Sequence, residues 1–201
     1  MMPAALLAAL LLTTAACSRS PELPALPTDA VILAFGDSLT YGTGVSRGED
    51  YPSELQRLSD RQVINAGIPG ELTSEGRERL PATLSTHEPD LVVLIHGGND
   101  LIHKLDSARI RDNLTGMVAA IRAHGASVVM LAVPKPGLLL RPAPLYEAVA
   151  ERQEVPVDMD TLAALLRDPD LHSDAIHLNE EGYDRLAGAV HALLEETGAL
   201  P

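Results

Sequence analysis

Val31-Ile-Leu-Ala-Phe-Gly-Asp-Ser-Leu-Thr-Tyr-Gly42 is the stretch whose reading decides the fold. Its first five residues are apolar without interruption, which predicts a strand buried on both faces, as in parallel sheets covered by helices. The run stops at Gly36-Asp37-Ser38, a cluster of the kind that ends a strand and turns the chain. A serine in a tight turn at the carboxyl end of a central strand lies where open α/β sheets bind ligands. Serine is a weak nucleophile until a base activates it. The rest of the chain must therefore supply a base, an acid to orient it, and donors for a developing oxyanion.

Working outward, further strands are predicted at 63–66, 91–95 and 127–133, with a short one at 155–157. Helices are expected over 51–58 with Pro52 in the first turn, and from Thr73 or Ser74 to His87, where Pro89 follows. The clearest helical face is Ile110, Leu114, Met117, Val118 and Ile121, with Gly125 as its stop. Two helices follow, from about Leu145 and over about 159–166, and Asn179 is the expected cap of a last helix running to about Glu196. Strands alternating with helices imply right-handed parallel βαβ units. The expected architecture is a three-layer α/β/α sandwich around a parallel, flavodoxin-like sheet of about five strands.

The 201 residues suit one domain with a substantial core, and 46% hydrophobic with 21% charged residues is a globular composition. Aromatic residues are only 2%, so the core is built from Leu, Val, Ile and Ala. A net charge of −13 with so few aromatic platforms argues strongly against nucleic-acid binding and disfavours electrostatic adhesion to an anionic membrane. With one cysteine, Cys17, no intrachain disulfide can form, and no Cys/His set has the spacing of a structural zinc site.

The N-terminal region reads as an export signal. Ala4 to Leu12 is apolar but too short to span a bilayer comfortably, and small residues lead directly to Cys17. That pattern resembles a bacterial lipobox, although Thr14 stands where Leu is usual and no Lys or Arg precedes the apolar run. The expected organisation is a signal peptide over 1–16, lipidation at Cys17, a proline-rich tether over 17–29 and a catalytic domain over 30–201. Ser18 beside the cysteine resembles outer-membrane sorting, so the expected location is the periplasm, with a lipid anchor in the outer membrane.

Four stretches carry the chemistry: Gly36-Asp-Ser-Leu39, Asn65-Ala-Gly67, Gly97-Gly-Asn-Asp100 and Asp174-Ala-Ile-His177. Ser38 would attack an acyl carbon, His177 would take its proton, and Asp174 would hold the imidazole tautomer. With acid and base three positions apart, this set needs only one long-range contact, to Ser38. The four ordered blocks resemble the GDSL/SGNH hydrolase family. Asn65-Ala-Gly-Ile-Pro-Gly-Glu-Leu-Thr-Ser-Glu-Gly-Arg-Glu-Arg-Leu80 and Tyr51-Pro-Ser-Glu-Leu55 are similar to its bacterial thioesterase I/lysophospholipase/arylesterase branch. The resemblance implies an oxyanion hole made of the Ser38 and Gly67 N–H groups and the Asn99 side-chain amide. It implies a serine esterase that needs no cofactor and no metal. Its partner would be a small acyl ester or lysophospholipid, met without nucleic acid and with no membrane contact beyond the lipid anchor.

Other readings stand beside these. His172, Asp174 and His177 have metal-ligand chemistry but no evident fourth ligand. Asp37 and Asp100 are expected to hydrogen-bond turn backbone, and His96 to pack at a strand end. Leu138-Leu-Leu140 is either a gate over an acyl chain or a packed loop. The alternative functions are an O-acetyl carbohydrate or cell-wall deacetylase and a non-catalytic lipid-binding lipoprotein.

Overall fold

A computed structural model describes residues 21–137 and 139–201. The expected signal peptide, Cys17 with its lipobox, the start of the tether and Leu138 lie outside the described residues. Five strands form the sheet: β1 Val31–Gly36, β2 Gln62–Gly67, β3 Leu91–Ile95, β4 Ser127–Leu131 and β5 Val157–Asp158. All neighbours are parallel, in the order β2-β1-β3-β4-β5. This is the flavodoxin-like order, with its switch point between β1 and β3. The helices are α1 Ser38–Tyr41, α2 Tyr51–Ser59, α3 Thr73–His87, α4 Gly98–Ile102, α5 Ser107–His124, α6 Pro144–Gln153, α7 Thr161–Leu165 and α8 Glu180–Glu196.

Right-handed crossovers place α2 beside α8 on one face and α3, α5 and α6 on the other, as their packing contacts confirm. The sheet is buried from both sides, and no residue of β3 is more than 1% exposed. At about 1.5–3 kcal/mol for each fully buried large aliphatic side chain, β1, β3 and the α5 stripe each contribute substantially to a core shared with β4 and α8. That stripe is Ile110, Leu114, Met117, Val118 and Ile121, all buried, and Gly125 closes the helix at φ 98°. Asp50 caps α2 through Ser53 N–H at 3.0 Å, and Asn179 caps α8 through Gly182 N–H at 3.0 Å.

Three local features differ from the sequence reading. The single turns α1 and α4 were not anticipated, because one turn is too short to show a 3.6-residue period. β5 pairs through Val157 and Asp158, later than expected, because Pro156 has no N–H to give the ladder. The described part of the proline-rich segment, 21–29, is not a free tether. Leu23 and Leu26 donate their N–H groups to the carbonyls of Thr197 and Ala199 at 2.8 and 2.9 Å, and both side chains pack on the core. Their apolar side chains gain more by docking than by remaining in water. This segment lies at the amino ends of the strands, the pole opposite Ser38. No helix among the described residues is long and apolar enough to cross a membrane.

Candidate active site

The nucleophile turn is built by Asp37, which caps α1 and lies directly before Ser38. Its Oδ1 accepts from Leu39 N–H at 3.3 Å and its Oδ2 from Gly98 N–H at 3.2 Å. Asp37 is therefore a strut between the serine turn after β1 and the Gly97-Gly98-Asn99 turn after β3. It is buried, and desolvation pushes its carboxyl above the ordinary value, against the pull of His96 and of the backbone N–H groups of Leu39, Gly98 and Gly97.

His177 and Asp174 come from the loop that leads into α8. Asp174 Oδ1 accepts from the N–H groups of Ile176 and His177 at 2.9 and 3.0 Å, an Asx turn that fixes the carboxylate. Its Oδ2 accepts from His177 Nδ1–H at 2.8 Å. His177 Nε2 then faces Ser38 Oγ at 3.0 Å, across 139 positions of sequence. The donated Nδ1 proton leaves the Nε2 lone pair free to accept from the serine hydroxyl. Although burial opposes ionisation, the hydrogen bonds from His177 and Ile176 hold the Asp174 carboxyl below its ordinary value. His172 is turned away from this chain of bonds and donates Nδ1–H to the Asp174 carbonyl at 2.9 Å.

The three expected oxyanion donors are placed differently from one another. Ser38 N–H opens α1 and has no acceptor among the described residues. Asn99, on α4, donates one amide N–H to the carbonyl of Glu71 at 3.0 Å, leaving the second. Gly67 departs from the expectation. Its N–H is given to Asn65 Oδ1 at 3.0 Å, and a Cβ there would lie 2.1 Å from Tyr41 N. Gly67 is a glycine because β2 runs hard against the backbone of α1, which spends its N–H and its open face on packing. Three residues on, Gly70 has φ 82°, and its N–H has no acceptor among the described residues. It directly precedes Glu71, the residue that holds Asn99. The sequence signal for Gly70 was present, as a second glycine in the same block, but spacing alone could not choose between them.

An apolar pocket opens beside Ser38, lined among others by Leu39, Ile102, Val133, Leu140, Leu166 and Ile176. Leu140 thus lies in the pocket wall, while its neighbour Leu139 is exposed.

The model of the GDSL-like Lipase/Acylhydrolase family matches residues 34–185, which includes all four blocks. The chain belongs to that family. This acylhydrolase is 30% identical to an arylesterase of Vibrio mimicus, over 78% of this chain and 84% of the relative. It is 36% identical to Esterase TesA of Pseudomonas aeruginosa over 52% of this chain, a match that spans only 55% of that relative. Among solved structures, a crystal structure of TesA superposes with a TM-score of 0.75 at 29% identity, covering 83% of this chain and 99% of that one. The SGNH-hydrolase family esterase AlinE4 superposes with a TM-score of 0.67 at 30% identity, covering 86% and 97%. The family and these relatives make the chain a carboxylic ester hydrolase.

Proposed function

We propose that this acylhydrolase cleaves carboxylic esters through an acyl-enzyme on Ser38, with His177 as general base and acid and Asp174 as its orienting carboxylate. The observation that carries the reading is the unbroken hydrogen-bond chain Asp174–His177–Ser38, which ends at the mouth of an apolar pocket. Ser38 Oγ attacks the ester carbon while its proton passes to His177 Nε2. The tetrahedral intermediate collapses by breaking the bond to the leaving oxygen, which departs as an alcohol with that proton. Water then repeats the sequence on the acyl-enzyme, releasing the acid and restoring Ser38.

The oxyanion is assigned to Ser38 N–H, the second Asn99 N–H and Gly70 N–H, in place of Gly67, whose N–H is already engaged. Each preorganised donor of this kind is worth about 2.7–4 kcal/mol of transition-state stabilisation. The pocket walls favour an acyl chain of several carbons, as in aryl or alkyl acyl esters and lysophospholipids, over an acetyl group on a sugar. Hydrolysis of a p-nitrophenyl ester series from acetyl to palmitoyl, beside the Ser38→Ala variant, tests this. Serine-dependent turnover peaking at medium or long chains supports it. Turnover of acetate alone would favour carbohydrate deacetylation, and binding without product release would favour a lipid-binding lipoprotein.

Export with a lipid on Cys17 completes the reading. Because residues 23–26 dock at the pole opposite Ser38, such an anchor turns the pocket away from the bilayer that holds it. Substrate then arrives from the aqueous compartment and not from the anchoring membrane. Release of a Cys17→Ser variant from the membrane fraction checks the anchor.

A further inference from the structure

Beneath Asn99 lies a cluster of charged side chains that the acyl-transfer chemistry does not itself use. Glu71 Oε1 accepts from Arg79 Nε at 2.7 Å, and Glu71 Oε2 accepts from Arg79 Nη2 at 2.7 Å and from His96 Nε2–H at 3.0 Å. His96 is fully buried and Glu71 is 6% exposed. Arg79 also donates Nη2–H to the Ala66 carbonyl at 3.1 Å, and its guanidinium lies 4.1 Å from the centroid of the Phe35 ring. α3 makes room for the imidazole, since a Cβ at Gly76 would lie 2.3 Å from His96 Nε2.

We propose that Glu71, clamped by Arg79 and His96, is a positioning residue that sets the Asn99 amide for the oxyanion. The proposal rests on the assignment of Asn99 to the oxyanion hole. Glu71 is held at each of its polar groups. Its N–H donates to the Ile68 carbonyl at 3.2 Å, its carboxylate is clamped, and its carbonyl accepts Asn99 Nδ2 at 3.0 Å. That carbonyl selects one orientation of the amide. The flipped orientation would set Asn99 Oδ1 against another oxygen, so the accepted N–H commits the second N–H to the reacting face.

Stability alone gives little reason for such a cluster. Buried ion pairs seldom outperform apolar packing of the same volume, because desolvation offsets the attraction. Here the cluster closes the end of β3, whose five preceding residues are all apolar and buried. What an apolar replacement could not supply is the clamp that holds the Glu71 carbonyl against the Asn99 amide.

The test is a double-mutant cycle on a p-nitrophenyl butyrate assay with thermal melts of each protein. Asn99→Ala is expected to lower kcat about 10²–10³-fold. Glu71→Gln, which keeps the shape and removes the charge that holds the clamp, is expected to lower kcat about tenfold with KM within about twofold. In the double variant the loss should equal that of Asn99→Ala alone, because Glu71 acts only through that amide. Arg79→Lys keeps the charge but not the two-pronged grip, so it should give a several-fold kcat loss that also vanishes in the Asn99→Ala background. It reads the same coupling if Glu71→Gln folds poorly. Losses that multiply in the double variants, or an unchanged kcat in a folded Glu71→Gln or Arg79→Lys protein, would overturn the proposal. An unchanged kcat in Asn99→Ala would instead remove the oxyanion assignment on which it rests.

Discussion

Thr73 donates both its backbone N–H and its hydroxyl to the carboxylate of Asp100, at 2.9 and 2.6 Å, with both residues buried. Asn113 Nδ2 adds a hydrogen bond to the same hydroxyl at 3.0 Å. Leu72, at the N-cap of α3, offers no side-chain acceptor, so a carboxylate 27 positions away caps the helix. The same contact ties α3 to α4 one residue beyond Asn99. Asp100→Asn removes one of two charged acceptors and is expected to cost about 1–3 kcal/mol. Thermal unfolding should show it as a fall of about 2–4 °C per kcal/mol for a chain of this size.

Ser38→Ala should lower kcat by at least about 10³-fold while leaving the melting temperature close to that of the native protein. Among the described residues, the only side-chain hydrogen bond it removes is the one to His177. A phosphonate ester that labels the native protein with a single adduct, found by mass spectrometry, should leave this variant unlabelled.

Asp174→Asn leaves the loop's size unchanged but can place an amide N–H against His177 Nδ1, favouring the wrong tautomer. A loss of about 10²–10⁴ in kcat is expected, the comparable change in serine proteases marking the upper end. The side chain of Asp174 is 54% exposed, so water can partly replace it, which argues for the lower half of that range. Steady-state rates at several pH values check both the size of the loss and its persistence.

Stability should fall in acid by way of Glu71. Burial raises its pKa, but the hydrogen bonds from Arg79 and His96 outweigh this and hold it at about 2, against an ordinary 4.5. A depressed carboxyl binds fewer protons when folded than when unfolded, so stability is fully present above pH 4.5 and drains away towards pH 2. Asp37 works in the opposite sense. Its raised carboxyl favours the folded state at low pH and weighs against it as pH rises through the folded pKa. Urea unfolding between pH 2 and 6 should show a smaller acid loss for Glu71→Gln than for the native protein.

Gly67→Ala and Gly70→Ala should separate packing from conformation. A Cβ at 67 meets backbone at 2.1 Å, and moving β2 or α1 to relieve it costs about 1–3 kcal/mol or more. A Cβ at 70 meets nothing within 4 Å, so only the left-handed φ of 82° is charged, at about 1–2 kcal/mol. Paired melts should rank Gly67→Ala as the more damaging.

Much of this was legible in the chain. The apolar runs of β1 and β3 announce a doubly covered parallel sheet, because only strands buried on both faces lack polar alternation. The stripe from Ile110 to Ile121, the Gly125 stop and the Asn179 cap are local signals that tertiary contacts did not override. Asp174 and His177 could be paired from sequence because their spacing permits a local turn. The single turns α1 and α4 could not be read, although Ser38 opens one and Asn99 sits in the other. One turn offers no periodicity, and α4 is held by distant partners, Asp37 at its Gly98 N–H and Thr73 at Asp100.

The sequence by itself determined the layered α/β architecture and the succession of its strands, since these depend on burial patterns and short-range spacing. Only the tertiary structure decided which of two nearby glycines keeps a free N–H, that residues 23–26 dock on the far pole, and that Glu71, Arg79 and His96 converge beneath Asn99. Those outcomes depend on how closely non-neighbouring backbones approach. A linear pattern of polar and apolar residues does not encode that distance until the sheet is assembled.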